Sequence, residues 1–115
     1  MPARKSEAPA AFLRQEALDR IGGEVDFLEE LLELYEKEFR SQTAKLKKAL
    51  TAGKFEAVRE IGHGLKGSSA NLSLPGLRDA ALAVEMSGKA RNAAAVRKAL
   101  EALEREYWRF KESLA

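Results

Sequence analysis

Apolar residues recur along this chain at steps of three and four, the spacing that lines one face of an α-helix. Phe12, Leu13, Ala17, Leu18 and Ile21 form a short first stripe, which Gly22-Gly23 ends. A long helix is predicted from about Glu24 to Ala52, with Phe27, Leu28, Leu31, Leu34, Tyr35, Phe39, Leu46 and Leu50 on its buried face. Glu24 and Asp26 put negative charge in its first turn, where the helix dipole favours it, and Gly53 is the expected left-handed residue beyond its end. A third helix is predicted from about Lys54 to Leu72, buried through Phe55, Val58, Ile61, Leu65 and Leu72, with Ser69 as a small inward-facing gap. The chain turns near Ser73-Leu74-Pro75, and Pro75 suits the first turn of a fourth helix. That helix carries Leu77, Ala80, Ala81, Val84 and Met86 and ends near Gly88. Asn92 is expected to cap a fifth helix, whose stripe is Val96, Leu100, Leu103, Tyr107, Phe110 and Leu114; Trp108 falls off the stripe, placed to cover the bundle end.

No strand-like alternation, internal repeat or low-complexity tract interrupts this pattern. The predicted class is all-α: an antiparallel up-and-down four-helix bundle with a short additional N-terminal helix, joined by short turns. The bundle domain is expected over residues 10–115, with residues 1–9 as a disordered leader carrying Pro2 and Pro9.

Composition narrows the chemistry. A chain of 115 residues with 45% hydrophobic and 33% charged residues suits one domain with a core and a polar surface. It has no cysteine, which removes disulfides and thiolate-bound metal. No apolar run reaches the roughly 18 residues of a membrane span, and the first residues lack the apolar centre of a signal peptide. The net charge of +2 is spread along the chain, and Lys45, Lys47 and Lys48 read as a solvated helix face. Neither a membrane nor a nucleic acid is therefore expected as a partner, and a cytoplasmic location is.

Only one histidine is present, His63, within Gly62-His63-Gly64-Leu65-Lys66-Gly67-Ser68-Ser69-Ala70. Imidazole is the side chain able to act near neutral pH as nucleophile, proton carrier or metal ligand. Being single, it cannot build a multi-histidine site. At about 100° per residue, His63 stands about 200° from both Ile61 and Leu65, so it faces water on the third helix. Arg59, Glu60, Lys66, Gly67 and Ala70 share that face. Each glycine inside a helix costs about 1 kcal/mol relative to alanine, so Gly62, Gly64 and Gly67 need a reason. The expected reason is a helix face cleared around His63, on which a partner's backbone can land. Lys66, one turn on, can reach a group carried by the ring and offset the charge of a phosphoryl. Ser68 is expected to face the site. Lys66-Gly67-Ser68 has the wrong order for a nucleotide phosphate loop.

The run His63-Gly64-Leu65-Lys66-Gly67-Ser68-Ser69-Ala70-Asn71-Leu72 resembles the His-x-Leu-Lys-Gly-Ser pattern of the histidine phosphotransfer (HPt) domains of two-component phosphorelays. Ile21-Gly22-Gly23-Glu24 with Phe27 to Tyr35, and Glu85 followed by Lys89 and Arg91, add weaker matches. The resemblance extends from about Phe12 to the C-terminus. It implies a monomeric four-helix bundle in which His63 accepts a phosphoryl group from an aspartyl phosphate on a response-regulator receiver domain and passes it to another receiver. A hybrid histidine kinase is a further implied partner. It implies Lys66 as the stabilising lysine and Gly67 as the small residue admitting the receiver. Arg59, Gly64, Gly67, Ser68, Glu85 and Lys89 are the expected partner-binding residues. No cofactor of its own is expected; Mg²⁺ would sit on the receiver. Departures are visible. Ser73 stands where a glycine is frequent and Leu74-Pro75 where a small residue is common, which bears on the turn between helices, and Gly62 stands where alanine is usual, which should loosen the helix locally.

Three other readings compete. Glu60-x-x-His63 matches one half of a di-iron bundle motif, but a second histidine and inward-facing ligands are lacking. The bundle could also serve as a docking module without phosphotransfer, or be the phosphotransfer domain of a larger hybrid or chemotaxis kinase.

Overall fold

The computed structural model describes residues 9–114. Five helices follow one another: α1 (Arg14–Arg20), α2 (Val25–Thr51), α3 (Phe55–Asn71), α4 (Pro75–Lys89) and α5 (Ala93–Ser113). Helices α2 to α5 form the bundle and α1 is the short additional helix, as the periodicity predicts. The 27 residues of α2 make a rod of about 40 Å. Local chemistry sets the boundaries. Gly53 takes φ +69 after α2, Pro75 opens α4, and the Asn92 side chain accepts the Ala95 N–H at 3.0 Å to start α5. Of the expected leader, only Pro9 lies within the described residues, and its carbonyl accepts from Arg109 Nη2 at 2.9 Å.

Leu28, Tyr35, Phe39, Leu46, Val58, Leu65, Leu77, Val84, Val96, Leu103 and Phe110 are buried in one core. The inward face of α2 differs from the predicted one. The buried seam is Leu28, Leu32, Tyr35, Phe39, Thr43, Leu46 and Ala49, whereas Phe27 and Leu34 stand 47% and 61% exposed. The apolar surface of α2 is wider than the core it meets, and the excess faces outward. Thr43 joins the seam because its hydroxyl donates to its own helix, to Phe39 O at 2.9 Å. Met86 and Leu114 are likewise exposed. Trp108 does not cover the bundle end: it is 62% exposed, at the lip of a groove between α2 and α5.

The α3–α4 turn carries the departures at Ser73 and Leu74-Pro75. Ser73 adopts φ +59, a region that costs a non-glycine residue about 1 kcal/mol or more. Its hydroxyl donates to Glu16 Oε1 at 2.7 Å, and its carbonyl accepts the Leu13 N–H at 2.9 Å. Leu74, read as a turn residue, is fully buried. Arg20 of α1 donates to Ala70 O at 2.9 Å, a carbonyl that also accepts the Ser73 N–H of the turn at 3.1 Å. The N-terminal segment therefore locks onto this turn.

Helices α3 and α4 pack most closely of all, and glycines set their separation. A Cβ on Gly62 would lie 2.5 Å from Glu85 N, and one on Gly88 would lie 2.7 Å from Arg59 N. Each glycine admits the other helix's backbone. The expectation that Gly62 belongs to a cleared outer face is thus corrected: it is buried against α4. Among the described residues, no helix is long and apolar enough to cross a membrane.

Candidate functional site

Close packing of α3 on α4 decides what stands beside the histidine. His63 is 65% exposed, and its Nδ1 lies 3.1 Å from Glu85 Oε2. Lys66 Nζ lies 2.8 Å from the other oxygen of the same carboxylate, Oε1. Glu85 is only 15% exposed, and its Oε1 is shut off from water, held in an ion pair with Lys66 rather than in an aligned hydrogen bond. The Lys66 ammonium above all, and then the His63 contact, hold the Glu85 carboxyl below the usual carboxylate range, against an opposing effect of burial. In the tautomer that carries its proton on Nδ1, the ring donates to the Glu85 carboxylate and Nε2 is left free. One carboxylate thus orients the imidazole and parks a cation beside it.

The outer surface of α3 is bare where the sequence suggests. A Cβ on Gly64 or on Gly67 would meet nothing within 4 Å. On the α4 side of this bare strip, Leu82 and Met86 are 41% and 52% exposed. Lys89 is exposed one turn beyond Glu85.

Two expected site residues point elsewhere. Arg59 is one turn before His63, but its guanidinium is engaged by Glu56 and lies 4.0 Å from Glu60. Ser68 turns toward α2, donating to Glu38 Oε2 and to Gly64 O, each at 3.1 Å. The step of five residues from His63 to Ser68 carries the serine to the opposite flank of the helix. Ser69 points inward as expected, fully buried and 2.8 Å from Tyr35 Oη.

On that opposite flank an open groove of about 570 Å³ runs between α1, the first half of α2 and the last turns of α3. Phe27, Leu31, Leu34, Ile21 and Leu72 line it, with Ser68 and Glu38 among its polar residues. The sequence did not single out Glu38, and it marked Gly88 only as the end of the fourth helix, whereas Gly88 lies within α4 and is buried against α3. The available signals were an apolar stripe on α2 too broad for one core, and a second glycine near the end of α4. No cluster of three or more histidine, cysteine or acidic side chains fit to hold a metal occurs among the described residues.

Comparison with known families decides what this arrangement belongs to. The model of the Hpt domain family matches residues 30–112. The chain belongs to the Hpt domain family. Hpt domains carry out histidine phosphotransfer in two-component signalling and interact with receiver domains of response regulators or kinases. No curated protein and no solved structure matches the chain. In this Hpt domain the match begins at residue 30, so α1 and the opening of α2, with Ala17, Arg20, Ile21 and Phe27 of the groove, precede the matched region.

Proposed function

We propose that this Hpt domain is a phosphoryl carrier in a phosphorelay, with His63 Nε2 as the atom that is phosphorylated. The observation that carries the reading is the His63–Glu85–Lys66 arrangement on an otherwise bare helix face. A receiver bearing an aspartyl phosphate docks over Gly64 and Gly67. The Nε2 lone pair attacks phosphorus in line, the P–O bond to the aspartate breaks, and the aspartate leaves as a carboxylate. The ring keeps its Nδ1 proton in the bond to Glu85, so the phosphorylated ring is cationic and no proton is released. Such transfers depend on positioning and charge more than on covalent help from the protein. Lys66 is within a turn of the ring and swings from Glu85 toward the phosphoryl oxygens. The second transfer reverses these steps onto another receiver's aspartate. Any Mg²⁺ would be held by the receiver's own residues and would neutralise phosphoryl oxygens there. The domain acts as a monomer, residues 10–115 form the working unit, and Lys89 extends the contact along α4.

Labelled phosphoryl transfer tests this. The wild-type protein, mixed with phosphorylated receiver domains of its source organism, should gain an acid-labile, base-stable label that His63→Gln lacks. Lys66→Ala should take up label at least tenfold more slowly while keeping the helical circular dichroism of the wild type. Label that persists in His63→Gln, or no transfer from any receiver, overturns the reading.

A further inference from the structure

The flank between α2 and α5 carries surface that the core does not use. Helix α2 packs on α3, α3 on α4 and α4 on α5, so the α2–α5 flank lies opposite the pair that carries His63 and Glu85. An open groove of about 380 Å³ runs along it. Its floor is the rings of Phe39 and Tyr107, stacked with centroids 4.2 Å apart, and its lip is Trp108. Trp108 is the most exposed large apolar side chain among the described residues, at 62%, and stands edge-on to Tyr107 at 5.7 Å. A tryptophan placed beside an aromatic floor yet left in water is the type of anchor that carries binding energy at protein interfaces. A hollow that shares Arg40 and Lys111 continues the groove past Lys37, and another lies at Lys47 and Lys48. From Lys37 to Lys48 the flank is about 16 Å long, or about three helical turns.

Charge is divided along α2. Residues 24–38 hold seven acids and one base, whereas residues 39–54 hold five bases and no acid, and the aromatic floor lies on the basic half. The acids beside that floor are already matched, Glu36 by Lys111 and Glu104 by Lys47. Arg40 is 62% exposed, and the acid it pairs with, Glu36, is 4.0 Å away and shared with Lys111. Among the described residues, Lys37 and Lys48 have no acid within ion-pair distance. The charge left over on this flank is positive.

We propose that this groove seats an acidic amphipathic helix of a partner protein, its apolar edge on Trp108 and the Phe39–Tyr107 floor and its carboxylates against Arg40 and Lys48. A straight groove between two helices suits a third helix, whose anchors recur at steps of three and four. The leftover cations select acids on that helix and repel a basic one. A nucleic acid fits less well, because Glu36 and Glu104 stand in the groove walls and would face its phosphates. A partner held here leaves the opposite flank uncovered, so the domain can be tethered while His63 stays open to receivers. The inference stands on the α2–α5 flank alone and does not depend on the phosphotransfer reading.

The test uses the full-length protein and two dye-labelled, stapled helical peptides of about three turns. Both lack tryptophan and carry leucines at steps of three and four; one has glutamates on its flanks and its twin has lysines. By anisotropy at low salt, the glutamate helix should bind at least tenfold more tightly than the lysine helix, a gap that narrows at high salt. Trp108 is the single tryptophan of the chain, and its emission should shift to the blue as the glutamate helix binds. Trp108→Ala should weaken that binding at least tenfold, and the double variant Arg40→Glu, Lys48→Glu should reverse the preference. A saturating glutamate helix should leave labelled phosphoryl transfer to His63 unchanged. The proposal is overturned if neither helix binds, if the lysine helix binds as tightly, if Trp108 emission does not move, or if transfer is blocked. A single-stranded oligonucleotide that shifts Trp108 emission and binds more tightly than the glutamate helix assigns the flank to nucleic acid. A dimer by sedimentation that Trp108→Ala dissolves assigns it to a second copy; either result overturns the proposal. Absence of phosphoryl transfer from any receiver overturns the carrier reading alone, and the binding measurements still decide this one.

Discussion

Helix α3 has two flanks, and they are built on opposite principles. Against α4 it is packed to backbone contact, through Gly62 on one helix and Gly88 on the other, and that intimacy brings Glu85 up to His63 and Lys66. Against α2 it is held by larger side chains and one buried hydroxyl pair, Tyr35 with Ser69, and the outer edge opens into an apolar groove. The first flank fixes polar groups to within hydrogen-bond distance. The second leaves apolar surface unspent. A site that does chemistry on one bond needs rigid placement, whereas a surface that must bind and release a partner needs exposed area. Both flanks belong to the same seventeen-residue helix.

Substitutions should separate the two. Gly62→Ala carries the largest expected effect. Its Cβ would meet α4 backbone, which cannot swing aside, so the cost is about 2–3 kcal/mol, read as a lowered Tm. In the same variant the histidine ring signals should lose their dependence on Glu85, because the carboxylate moves away. Tyr35→Phe strikes the other flank. It leaves the buried Ser69 hydroxyl without its partner and should cost about 1–2 kcal/mol, by urea unfolding, with the His63 contacts intact. Gly64→Ala should have the opposite sign. Open space surrounds the new methyl group, so the helix gains about 1 kcal/mol while transfer from the receiver slows. Gly64→Ala that is both more stable and equally fast in transfer would remove the case for a cleared landing strip.

A smaller effect follows from protonation. The folded Glu85 carboxyl is held below its ordinary value, chiefly by the Lys66 ammonium. A carboxyl so depressed contributes stability that is present at neutral pH, above its unfolded value, and is lost as pH falls through its folded value. Acid should therefore release His63 and Lys66 together. A carbon-detected titration of Glu85 should show its midpoint below the usual carboxylate range, and Lys66→Met should move the midpoint upward. An unmoved midpoint would mean that Lys66 is not the cause.

Much of the fold could be read from the residues, because helix boundaries here are local events. Gly53, Pro75 and Asn92 act on their own turn, and the structure starts and stops helices within a residue or so of each. The width of the apolar stripe on α2 was also visible, but which part of it faces the core was not. Leu31 and Leu34 are as apolar as Leu32, and only the positions of α3 and α5 select Leu32 for burial. His63 and its exposure followed from helical phase against Ile61 and Leu65. Gly62 and Gly64 look alike in the sequence, on either side of His63, and yet one is filled by another helix and the other is open.

The sequence by itself therefore determined the helices, the bundle class and the placing of a single histidine on a water-facing surface, since these depend on periodicity and on residues within one turn. Tertiary structure alone decided that Glu85 bridges His63 and Lys66, that Ser68 turns to Glu38, and that Phe27 and Leu34 face a groove. Those contacts join residues on different helices, far apart along the chain, or depend on how closely two helices approach. That distance is set by side-chain volume on both partners, which no single stretch of sequence contains.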